Sequence, residues 1–266
     1  MAKLRQLPRL ESAELLLEEL RLSIDQEVCE HWNEKIRDGI VPTQVKNAGP
    51  VDRKLHQQKM REFAEFQIEV VRTLYSGPWR VHTPLTRIKE LHFFGVGDGE
   101  ALAGITAIAN ANKYAVIAYD ICEEGYNNAE RAFAVVPHTS PPELRNETRL
   151  ADITAAMDPR YIDPMRARKL YMARVLNILE SQRPGKMAET ERKVGALLDY
   201  LDVVIVHPFP EDNPEAEWGD SHPQSFRELM GRIAEGHGRS PRTSLLGTCL
   251  HYNHVYRAVR IRRGAY

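Results

Sequence analysis

The stretch Leu91-His92-Phe93-Phe94-Gly95-Val96-Gly97-Asp98-Gly99-Glu100 decides the fold. An apolar run passes directly into three glycines at alternate positions, and a helix-forming segment follows. A second apolar run, Tyr114 to Tyr119, ends on Asp120. Strand, glycine turn, helix, strand and terminal acid, in that order, predict a βαβ unit that holds a nucleoside-bearing ligand. The glycines let main chain approach where a Cβ would collide. An acid at the second strand's tip can accept both ribose hydroxyls.

Outward from this unit, strands and helices alternate. The pattern predicts a strand at Glu90 to Phe94, a helix at Glu100 to Asn110, a strand at Tyr114 to Tyr119 and a helix at Gly125 to Ala134. A Pro-rich loop around Pro137 to Pro142 follows, then a short strand ending near Leu150-Ala151-Asp152. A helical insertion over about residues 155–201 is expected, with segments Pro164 to Leu179 and Glu189 to Leu201 split at Arg183-Pro184-Gly185. Val203 to Val206 is a continuous apolar run of the kind found in buried parallel strands. A helix at Gln224 to Glu235 and a strand at Ser244 to Leu250 come next, and the tail Val255 to Arg263 suits an exposed edge strand. The expected class is α/β: a Rossmann-like, doubly wound, mainly parallel sheet with an N-terminal helical extension. The expected division is a helical lid or cap region over residues 1–88 and the ligand-binding domain over residues 89–266.

In the N-terminal region, Ser12 can cap one helix whose apolar positions Leu16, Leu20, Ile24, Val28, Trp32 and Ile36 recur at helical spacing, with Gly39 at its C-terminal end. Gln44 to Pro50 reads as loop. A second helix carries Leu55, Phe63, Phe66, Val70 and Leu74 on one side and stops at Ser76-Gly77-Pro78.

Composition excludes several classes. With 36 Lys+Arg against 37 Asp+Glu in 266 residues, the net charge of -1 gives no global attraction to a polyanion, so no nucleic-acid partner is expected. Arg257, Arg260, Arg262 and Arg263 are an example of where a local basic patch could form. Cys29, Cys122 and Cys249 have no paired metal or redox spacing, and an odd count without a secretory leader fits a reducing cytoplasm. No apolar run approaches the ~20 residues needed to span a bilayer.

With these residues in place, Leu91 to Asp152 resembles the cofactor half of a class I S-adenosylmethionine-dependent methyltransferase. The resemblance rests on Gly95, Gly97 and Gly99, on Asp120, on the polar-acidic run Cys122 to Ala132, on Asp152 and on the later strand Asp202 to Val206. It implies S-adenosylmethionine as cofactor, held by Gly95, Val96, Gly97, Gly99, Asp120, Ile121, Asp152 and Ile153, with Asp152 beside the adenine amino group. It also implies a transferase acting on a small molecule in specialised metabolism. Many members carry an acid two places before the first glycine; here that place is Phe93. A nicotinamide dinucleotide fits poorly, because the third glycine of its fingerprint would fall on Leu102 or Glu100, and a carboxylate there would face a pyrophosphate.

Candidates on the acceptor side follow from position. His207, at the carboxyl end of the Val203 to Val206 strand, can act as a general base; Asp212 can pair with a cationic group; Tyr252 lies in the polar run His251-Tyr252-Asn253-His254. That run has no third ligand with metal spacing, so no metal is expected. Three readings stay open: methyl transfer to a small acceptor; attack on the four-carbon arm, including intramolecular cyclisation to azetidine-2-carboxylate with the cofactor itself as substrate; and a non-catalytic binding protein that keeps the nucleotide fold. The sequence leaves the oligomeric state open.

Overall fold

A computed structural model describes residues 13–37, 53–76, 89–136, 144–163, 166–173, 175, 184–215 and 225–262. Among the described residues, α1 (Ala13–Leu22), α2 (Gln26–Arg37) and α3 (Arg53–Ser76) come first. Then follow β1 (Lys89–Phe94), α4 (Glu100–Ala111), β2 (Tyr114–Asp120), α5 (Glu123–Ala134), β3 (Glu147–Leu150), the short α6 (Ile153–Ala156) and β4 (Ala167–Ala173). The chain continues through α7 (Pro184–Leu197), β5 (Asp202–Pro208), a 3₁₀ turn (Pro210–Asp212), α8 (Phe226–His237), β6 (Arg242–His251) and β7 (His254–Arg262).

The seven strands lie in the order β3-β2-β1-β4-β5-β7-β6. The first five are mutually parallel, and β7 runs antiparallel between β5 and β6. The order reverses beside β1, so a crevice opens beyond the carboxyl ends of the central strands, where ligands of open α/β sheets bind. Both faces are covered. Leu91, Phe93, Val116, Ala118, Tyr171 and Val204 pack under α3 and α4. Phe94, Ile117, Leu170, Met172 and Ile205 pack with Leu20 of α1 and with residues of α7 and α8.

Three expectations are corrected. The span Pro164 to Leu179, read as helix, contains β4, which pairs with β1 and β5 at the centre of the sheet. Ala, Arg, Lys, Leu and Met in Ala167–Ala173 are good helix formers, and burial on both faces overrides that preference. The region 155–201 is therefore not a helical insertion. β7 is not an edge strand either; its arginines made it look exposed, but Arg260 pairs with Asp202 and Arg257 with Asp212, so a half-buried strand carries them. The edge is β6. Finally, the helix read through Ile24 is two helices. Asp25 Oδ1 accepts the N–H groups of Glu27 (3.1 Å) and Val28 (3.3 Å) and starts α2 afresh. Ser12, Gly39, Gln44 to Pro50, Gly77, Pro78, Pro137 to Pro142 and Arg263 lie outside the described residues. Among the described residues no helix is long and apolar enough to cross a membrane.

Candidate functional site

The turn after β1 is built on left-handed backbone. Gly95, Gly97 and Gly99 have φ of 78, 59 and 76°, a region that side chains rarely adopt. Space is also short: a Cβ on Gly99 would lie 3.1 Å from the Asn128 carbonyl oxygen. Gly95 N–H donates to the Tyr119 carbonyl (3.0 Å), and Asn128 Nδ2 donates to the Gly97 carbonyl (2.8 Å), tying the loop to β2 and α5.

Asp120 holds the loop. Its Oδ2 accepts the Gly97 N–H (3.0 Å), and its Oδ1 accepts the Cys122 N–H (3.1 Å) and the Cys122 thiol (3.3 Å). The Val96 N–H also acts on the carboxylate. Burial raises the Asp120 pKa, and these donors work against that rise. A carboxylate has about four lone-pair sites, and three hydrogen bonds from its own chain engage this one. Gly125 makes the arrangement sterically possible, because a Cβ there would lie 2.2 Å from Asp120 Cγ.

Asp152 stands beside it at the same end of the sheet, since β3 pairs Leu150 with Asp120 and the Ala151 N–H donates to the Asp120 carbonyl (2.8 Å). Asp152 Oδ1 caps α6 by accepting the Ala155 N–H (3.1 Å). Ile121 and Ile153 are half-buried next to the two acids. Val96, Gly97, Asp120 and Asp152 thus gather at the tips of β1, β2 and β3.

The N-terminal region closes onto this corner. Cys122, the N-cap residue of α5, makes no side-chain cap. Instead Asn33 of α2 accepts the Glu124 N–H on Oδ1 (2.9 Å), Arg37 pairs with Glu124 (3.3 Å), and the buried Cys29 sits at the Glu123 N–H. A neighbouring helix thus satisfies donors that α5 leaves open.

The acceptor-side candidates separate. His207 is 1% exposed, its ring packs edge-on against Phe209 (4.8 Å), and burial pushes its pKa down to about 3. Asp212 pairs with Arg257, whose guanidinium lies over the rings of Phe209 (5.4 Å) and Phe226 (5.5 Å). Tyr252 turns the β6–β7 hairpin with φ of 53°, and its hydroxyl bonds to His56 Nδ1 of α3. Sequence reading missed His56, Gly125, Asn33 and Cys29. Only Gly125, embedded in Glu123-Glu124-Gly125, carried a local signal; the others act across long sequence separations. Among the described residues no group of three or more His, Cys, Asp or Glu is placed to hold a metal ion.

No family model matches the chain, and no curated protein matches it. Solved structures do. Magnesium protoporphyrin IX methyltransferase from Synechocystis PCC 6803, solved with bound SAH (S-adenosylhomocysteine), aligns with TM-score 0.50 at 11% identity, over 94% of this chain and 100% of that one. The N,N-8-amino-8-demethyl-D-riboflavin dimethyltransferase from Streptomyces davawensis aligns with TM-score 0.49 at 14% identity, over 88% and 68%. A small RNA methyltransferase aligns with TM-score 0.49 at 17% identity, over 74% and 25%. The fold is the class I methyltransferase-like one.

Proposed function

We propose that the protein is an S-adenosylmethionine-dependent transferase that methylates a small molecule in specialised metabolism. The observation that carries this reading is the loop Gly95–Gly99, three left-handed glycines hung on the Asp120 carboxylate at the switch point of the sheet.

The residues fit such a cofactor. Bare main chain at Gly95 to Gly99 admits close approach by the amino-acid arm. Asp120 serves the ribose. Its weakest donor is the Cys122 thiol, so that is the contact a ribose hydroxyl replaces. Asp152, Ile121 and Ile153 line the adenine end. When bound, S-adenosylmethionine supplies an already activated methyl carbon. The chain's own work is alignment and exclusion of water, and α2, fastened to α5 through Asn33 and Arg37, is the element suited to cover the nucleoside. His207 is a poor base, because burial pushes its pKa down to about 3, and the Asp212 carboxylate is engaged by Arg257. Tyr252 remains the acceptor-side candidate.

A second reading keeps the cofactor and changes the bond that breaks. Phe93 is buried and stacked on Tyr171 (5.3 Å), so β1 offers no carboxylate at the position where many relatives pair the methionine ammonium. A free amine suits attack on the four-carbon arm. Incubation with S-adenosylmethionine alone separates the two: methyl transfer predicts no methylthioadenosine without an acceptor, and its release would replace the first reading with the second.

A further inference from the structure

We infer that Tyr252 and His56 form one proton-accepting pair for an acceptor that carries a reacting O–H or N–H, with Tyr252 touching the acceptor and His56 behind it as a positioning residue. The inference rests on the transferase reading above and extends it to the acceptor.

The placement comes from topology. β7 descends antiparallel to β5, with Pro208 opposite Tyr256, so the β6–β7 turn stands beyond the carboxyl end of β5. That is also the end where the glycine loop leaves β1. α3 spans the sheet in the opposite sense. Its end meets the amino end of β2 through Tyr75 and Tyr114 (5.0 Å), and its middle meets β4 through Gln67 and Tyr171 (3.4 Å). Its start meets the hairpin through His56 and Tyr252. On the same stretch of α3, Arg61 acts on Glu100, the residue that follows Gly99. The first turns of α3 therefore border both the glycine loop and the hairpin.

Two independent features mark Tyr252. His251 pairs with His254, leaving Tyr252-Asn253 as a two-residue turn. Tyr252 takes φ of 53° at a place where glycine is preferred. An aromatic residue in left-handed backbone is an outlier, and such outliers cluster at working sites. Its hydroxyl also bonds to an imidazole from another element, with the two rings stacked at 6.2 Å. Behind it, the buried His251 packs edge-on at 4.7 Å and is itself packed on Phe63 at 4.6 Å. Among the described residues, the charged and titratable groups near the pair include Lys59 and Glu62 of α3, with Glu62 acting on His251, and Cys249, His251 and His254 of the two strands.

The step balances. The acceptor heteroatom forms its bond to the transferred carbon as that carbon's bond to sulfur breaks, and the electron pair stays on sulfur. The acceptor's proton goes to the Tyr252 oxygen while Tyr252's own proton goes to His56 Nδ1. This requires the tautomer of His56 that carries its hydrogen on Nε2. The imidazolium then loses a proton to water.

The test needs no turnover. 4-Nitrophenol, an acidic O–H probe whose ionised form absorbs in the visible, is titrated with pH in the presence of SAH-loaded full-length protein. A base within reach is expected to lower its apparent pKa by about one unit. His56→Gln keeps a hydrogen-bonding partner for Tyr252 but accepts no proton, and Tyr252→Phe removes the contact atom. Both should abolish the shift, while SAH affinity by calorimetry stays within about twofold of wild type. An unshifted titration in the wild-type protein, or a shift that survives both substitutions, overturns the pair. Absence of SAH binding to the wild-type protein would instead sink the transferase reading on which the pair depends.

Discussion

The Asp120 carboxylate accepts the Gly97 N–H at 3.0 Å, so the acid at the tip of β2 is tied to the glycine loop at the tip of β1. Asp120→Ala leaves the Gly97 and Cys122 donors without their acceptor. Each buried donor left unsatisfied costs about 1–3 kcal/mol, so the melting temperature falls together with SAH affinity. Cys122→Ser separates the two effects. A hydroxyl is a stronger donor than a thiol and holds the Asp120 oxygen against the ribose, so SAH binds more weakly while calorimetric stability is kept; unchanged or tighter binding contradicts the exchange.

Gly125→Ala tests the same corner from α5. The new Cβ would lie 2.2 Å from Asp120 Cγ, and overpacking of this kind costs typically 1–3 kcal/mol. The carboxylate must leave its place, and SAH affinity is expected to fall at least about tenfold. Wild-type affinity in this variant, measured by calorimetry, would mean that Asp120 does not need its observed position.

Buried histidines set the response to acid. Burial pushes the His207 pKa down to about 3 and lowers that of His92, whose Nδ1 is bonded to the Tyr119 hydroxyl (2.9 Å). The unfolded chain binds protons at these sites near pH 6.5 and the folded chain does not, so stability is fully present above that pH and is lost as pH falls toward the folded values. For His207 the loss reaches about 3 kcal/mol by pH 4. His207→Leu should flatten the acid limb of denaturant-derived stability. An unchanged slope would place that proton uptake elsewhere.

Lys169 gives the opposite arm. Burial pushes its pKa down to about 8; its ammonium lies over the rings of Tyr75 (5.3 Å) and Tyr114 (5.9 Å) and 3.9 Å from Asp202 Oδ2. At neutral pH a charge is buried that the unfolded chain leaves in water. Between about pH 8 and 10.5 only the unfolded state is protonated, so this residue's cost shrinks and stability rises with pH. Lys169→Met leaves Asp202 paired with Arg260 (3.1 Å) and should stabilise by about 1–3 kcal/mol at pH 7, a gain that fades toward pH 10.5. Destabilisation at pH 7 would show that the cation holds the sheet together there.

The shape of the glycine loop is readable in the sequence, because its geometry is local. Glycines at alternate positions and an acid at the next strand's end specify backbone shape and charge within one βαβ unit. The same local logic hid β4, where Ala167–Ala173 has helix-forming residues and only its neighbours β1 and β5 make it a strand. It misjudged β7, where Arg257 and Arg260 find Asp212 and Asp202 at separations of 45 and 58 residues. His56 and Tyr252, 196 residues apart, meet only once α3 crosses the sheet. The position of Asp120 predicts an acceptor for ribose hydroxyls, and three-dimensional packing also turns it onto its own loop.

Calorimetric titration of the wild-type protein and of Asp120→Ala with SAH tests the central claim most directly. The account predicts one SAH bound per wild-type chain and affinity at least about tenfold weaker in the variant. No binding to the wild-type protein, or equal affinity in the two, would contradict a nucleoside lying across the tips of β1, β2 and β3.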